Sequence, residues 1–187
     1  MTATTLEATT HDSNPAARPA GSAPREAGRL PSVTSALLLS VLGGAVATIA
    51  FDIWGQVVSP GLLNWANLAP VPLAVQTVDV LLGVRSQAAG HFMHLFVVGL
   101  LAYPLGYLLV FRPLVERLLP ALHWSLAGAI YGFGLFVVAI GLVAGPLLAG
   151  NPWFLNFTGI TWVALIGHVL YGVVLAAVVV LLERRGF

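Results

Sequence analysis

The chain has no cysteine and no lysine, and only 8% of its 187 residues are charged. Without cysteine there is no disulfide framework, thiolate metal site, iron–sulfur cluster or cysteine nucleophile. The scarcity of charge excludes more. A soluble globular chain is about 25% charged, and 8 basic plus 7 acidic groups cannot cover the surface of a protein this size. With 58% hydrophobic residues, the solvent for most of the chain is lipid. The basic residues are all arginine and are scattered, with a net charge of +1, so nothing points to nucleic acid. No phosphate-binding loop, dinucleotide glycine fingerprint, HExxH motif or serine nucleophile elbow is present.

What is present divides by composition. Residues 1–30 are Thr, Ala, Pro, Ser and Gly with few large apolar side chains, and are expected to form a disordered cytoplasmic tail. Residues 31–187 are expected to form one transmembrane domain. Four segments are long enough to cross roughly 30 Å of hydrocarbon: about Val33 to Val58, Ala88 to Phe111, Leu122 to Leu148 and Phe157 to Leu182. Backbone amides find no water in lipid, so each is expected to be a helix. The fold class is therefore an all-α four-transmembrane-helix bundle. Between the first two spans, Pro60, Pro70 and Pro72 are expected to prevent a continuous helix. The apolar stretch Leu73 to Val84, too short to span, is read as an interfacial or re-entrant segment on the outer side.

Arginine placement sets the expected orientation. Arg18, Arg25 and Arg29 precede the first span, Arg112 and Arg117 lie between the second and third, and Arg184 and Arg185 follow the fourth. Arg85 alone falls on the other side, so both termini are expected in the cytoplasm of a bacterial inner membrane. The turn Gly150-Asn151-Pro152-Trp153 then lies outside. Packing seams are expected where small residues recur four apart, at Ser40/Gly44, Gly128/Gly132 and Gly141/Gly145, with Gly99 and Gly106 in the second span.

Ionisable groups inside a bilayer are costly and point to function by default. By depth, Asp52, His91, His94 and His168 are expected to converge in the outer half of the bundle, whereas His123 falls at the inner edge. His91 and His94 are three apart and are expected on one helical face. That arrangement suits a divalent metal held by His91 and His94, with His168 and Asp52 as further donors. Alternatively, His94 and His168 suit a haem b iron between two helices. Polar pairing within the bundle and a proton relay are the other readings. Asp52 is expected to pair with His91 or His94. Pro104, inside the second span, is expected to kink it and free a carbonyl one turn back.

Gly44-Ala-Val-Ala-Thr48, Phe51-Asp52-Ile-Trp54-Gly55, Gly90-His91 and Gly167-His168-Val-Leu-Tyr171-Gly172 together resemble the YagU-like family of small bacterial inner-membrane proteins, from about Gly43 to Arg185. The resemblance implies inner-membrane location and four spans, and brings no established reaction. Where that family carries an acidic residue four before the closing histidine, this chain has Ala164. The expected function is non-enzymatic, in an accessory, assembly or stress-related role. Its expected partners are the lipid bilayer and another membrane protein complex. The alternative is a haem- or metal-binding redox or transport component.

Overall fold

Apolar runs of this length satisfy their backbone within themselves, and the computed structural model describes residues 31–149 and 157–187 as helices and connections without strands. The 1–30 stretch with Arg18, Arg25 and Arg29, and the 150–156 turn with Trp153, lie outside the described residues. So do the side-chain surroundings of 145–149, including Gly145. Four helices are long and apolar enough to cross a membrane: α1 (Val33–Leu62), α3 (Gln87–Leu118), α4 (Trp124–Phe136, continuing as Val137–Ala149) and α5 (Gly159–Arg184). The short apolar helix α2 (Pro70–Leu82) connects α1 to α3.

The prolines act differently from expectation. Pro60 does not stop α1, which passes through it in wide π-type turns over Trp54–Leu62. A π ladder would aim the missing Pro60 N–H at the Gly55 carbonyl. The returning chain supplies a replacement, because Leu68 N–H donates to Gly55 O at 3.0 Å. Pro70 and Pro72 open α2, where the first N–H groups lack helical partners in any case. Gly83 closes it in the left-handed conformation, with φ of 68°.

Pro104 frees a carbonyl one turn back, as expected, and the structure shows how it is accommodated. Its missing N–H exposes the Leu100 carbonyl in α register and the Gly99 carbonyl in π register. Each is taken by a hydroxyl from a neighbouring helix: Ser40 Oγ of α1 donates to Leu100 O, and Tyr171 Oη of α5 donates to Gly99 O at 2.8 Å. Both carbonyls are thereby bonded to neighbouring helices rather than left open.

In space, α1 lies against both α3 and α5, and α5 lies against α4. The α4–α5 contact is the glycine seam expected from Gly128 and Gly132. A Cβ on Gly128 would sit 2.6 Å from Gly172 O, and one on Gly132 would collide with His168 O. At one end of the bundle Tyr131 bridges α4 to α3. Its ring packs 5.2 Å from that of Tyr107 and 5.1 Å from that of Phe111, and its hydroxyl donates to Tyr103 O. The same end carries Arg112, whose guanidinium forks onto Glu183 of α5 at 2.7 and 3.0 Å and reaches Glu116 at 2.7 Å. Toward the other end α2 packs on both α3 and α4. Arg85 lies at that end, 3.9 Å from Asp79.

Candidate functional site

At the α2 end the helices line a partly open chamber of about 270 Å³. Its walls come from α1, the 68–69 connection, α2, α3, α4 and α5, and most of the lining is carbon. Val98, Leu73, Ala74, Ala139 and Val143 are typical of it. The polar residues in this apolar wall are few, and His94 and His168 are among them.

The depth of these groups follows from helix length. Asp52 is followed by ten further residues of α1, roughly 15 Å of helix. His94 lies about 10 Å into α3, and His168 about 14 Å into α5, both from the same end. Because α1 continues past Pro60, Asp52 lies deeper than a span ending at Val58 would place it.

Two of the four expected residues pair directly, and His168 lines the same chamber as His94. His94 Nε2 lies 3.0 Å from Asp52 Oδ1 and 3.3 Å from Oδ2, so the ring N–H is shared across the carboxylate. Phe51 packs its ring against both histidines, with centroids 6.4 Å from His94 and 5.1 Å from His168. His168 is buried, and its Nδ1 lies 2.7 Å from the Ala164 carbonyl. A carbonyl only accepts, so Nδ1 carries the hydrogen and Nε2 the lone pair. The Ala164 backbone oxygen is what orients the ring.

His91 does not join them. It is exposed on α3 and Asp52 is bonded to His94. The winding of α3 changes from α to π at Met93. His94 meets Asp52 of α1, whereas His91 is left exposed. The metal quartet His91, His94, His168 and Asp52 is therefore not assembled. Among the described residues no group of three or more His, Asp or Glu comes together as a metal site. The haem reading of His94 and His168 meets a steric limit. The chamber of about 270 Å³ falls below the ~300–1,000 Å³ typical of sites for drug-sized ligands, and a haem macrocycle would force the helices apart. His123 caps α4, with Nδ1 2.8 Å from Ser125 Oγ.

Two wall residues escaped the sequence reading. Thr48 lines the chamber, and its hydroxyl is buried, packed over Gly99. Tyr171 also lines it, with its hydroxyl held by Gly99 O. The signal available was spacing: Gly44 and Thr48 stack one turn apart on the α1 face that meets α3, and Tyr171 follows His168 by one turn less one residue. Comparison of the chain with protein-family models, with curated proteins and with solved structures finds no match.

Proposed function

We propose that this is a multi-pass protein of a bacterial inner membrane, akin to the YagU-like proteins, that binds a small apolar molecule in the outer half of its bundle and serves an accessory rather than a catalytic role. The observation that carries this reading is the chamber: a cavity of about 270 Å³ with carbon walls and a few fixed polar groups. Small-molecule sites have that composition. An engineered apolar cavity of about 150 Å³ takes up benzene, so this one has room for a ligand of roughly ten heavy atoms. Both termini lie in the cytoplasm. Arg112, Arg117, Arg184 and Arg185 gather at the inner end, and α2 sits at the outer interface as the chamber's lateral wall.

Native mass spectrometry of the detergent-purified protein tests the binding reading. A small molecule retained at up to one per chain, and lost from Ala139→Phe, is the expected result. Equal retention by both proteins would contradict it. For orientation, reporters fused after Phe187 and at the N-terminus should both read cytoplasm, and one inserted near residue 151 should read the outer side. An external C-terminus would break the even-span arrangement.

A second reading rests on the two ring bonds. Metal-binding imidazoles are commonly oriented by a carboxylate or carbonyl on the far nitrogen, as His94 is by Asp52 and His168 by Ala164. Stoichiometric divalent metal in elemental analysis would favour it over the apolar ligand.

A further inference from the structure

The chamber's polar wall combines fixed acceptors with the hydroxyls of Thr48 and Tyr103, which can also donate. His168 Nδ1–H is committed to Ala164 O, so the neutral ring presents only an acceptor, Nε2, on the side away from its own helix backbone. The His94 Nε2–H is committed to Asp52. The Tyr171 hydroxyl hydrogen is committed to Gly99 O, which leaves its oxygen as an acceptor. Thr48 adds a buried hydroxyl to the same wall beside that of Tyr171, able to donate as well as accept. His168 is 6% exposed, and Phe51, Tyr103 and Phe136 pack their rings about it. A buried acceptor without a donor is unfavourable, and a bound donor relieves it.

The walls also indicate where the ligand comes from. Away from the Tyr131 bridge, α2 rather than direct helix contact closes the space between α3 and α4, and its residues Leu73, Ala74 and Thr77 line the chamber. Val80, Leu81 and Leu82 of that wall are exposed apolar side chains, which suits the approach of a lipid-soluble molecule.

Resting on the binding reading above, we propose that the chamber takes a small lipid-soluble phenol or alcohol, whose hydroxyl donates to Nε2 of His168. The hydrocarbon part fills the space among Val98, Ala139 and Val143, and the ligand's hydroxyl donor meets the His168 acceptor. A carboxylate or phosphate ligand is disfavoured, because no arginine lines the chamber and the Asp52 carboxyl lies behind His94.

The test uses a matched pair, thymol and p-cymene, which differ by one hydroxyl. Each is titrated into the full-length protein in detergent, with concentrations expressed as mole fraction in the micelle. Thymol should bind about 2- to 12-fold more tightly than p-cymene, the worth of one net hydrogen bond. In His168→Phe, which keeps a planar ring, the difference should vanish while p-cymene binding remains. Should that variant fail to fold, wild type still gives an answer through ¹⁵N-histidine spectra. One accepting ring nitrogen should shift with thymol and stay put with p-cymene. Equal affinities in wild type, or a thymol preference that survives His168→Phe, would overturn the acceptor assignment and leave the chamber as a binding site. Absence of saturable binding by both molecules would instead overturn the binding reading itself.

Discussion

Gly132→Ala should destabilise the protein by about 2 kcal/mol, in the range of overpacked cores. The added Cβ would collide with His168 O and lie 2.7 Å from Val169 Cα. Both are main-chain atoms of α5, so no side chain can swing aside and the helices must separate. Separation weakens the whole α4–α5 seam, because Gly128 and Gly172 depend on the same close approach. It also shifts the backbone that orients His168. The control is Gly134→Ala, two residues along α4, where a Cβ meets nothing within 4 Å. That change should stabilise by up to about 1 kcal/mol through helix propensity. Thermal melts in detergent compare the two, and equal melting temperatures would show that the seam does not form.

The second large effect concerns Asp52 and His94. Removing one partner of a polar pair inside a bundle leaves the other without its bond where water is scarce. Measured couplings of this kind in membrane proteins average about 0.6 kcal/mol and reach about 1.7. With both carboxylate oxygens within 3.3 Å of the ring nitrogen, this pair should lie near the upper end. Asp52→Asn and His94→Gln should therefore be non-additive by about 1–2 kcal/mol in a double-mutant cycle. Asp52→Asn with His91→Gln should be additive, since His91 is exposed and apart from the pair. A coupling found with His91 instead of His94 would contradict the geometry.

These two cases also show what the sequence made legible. The four long helices were readable because lipid forbids unsatisfied backbone, and the composition left no other solvent. The α4–α5 seam was readable from Gly128 and Gly132. The course of α1 past Pro60 was not, because the acceptor it frees at Gly55 is met by Leu68, thirteen residues on and off the helix. The choice between His91 and His94 was not readable either. It turns on which face of α3 meets α1, a tertiary contact that no residue type announces. The chamber itself depends on where α2 settles between α3 and α4, a tertiary contact without local periodicity. Thr48 was passed over because a threonine in an apolar helix ordinarily bonds its own backbone.

The central claim is that the chamber binds an apolar molecule, and ligand-induced stabilisation measures it most directly. Binding to the native state alone raises stability by about 2.7 kcal/mol at a ligand concentration one hundred times the dissociation constant. Melting curves should be recorded with increasing p-cymene for wild type and Ala139→Phe, whose added ring occupies the chamber. Wild type should show a rising melting temperature that follows the logarithm of concentration, and Ala139→Phe should show little or none. An identical rise in both proteins, or none in wild type, would contradict the account.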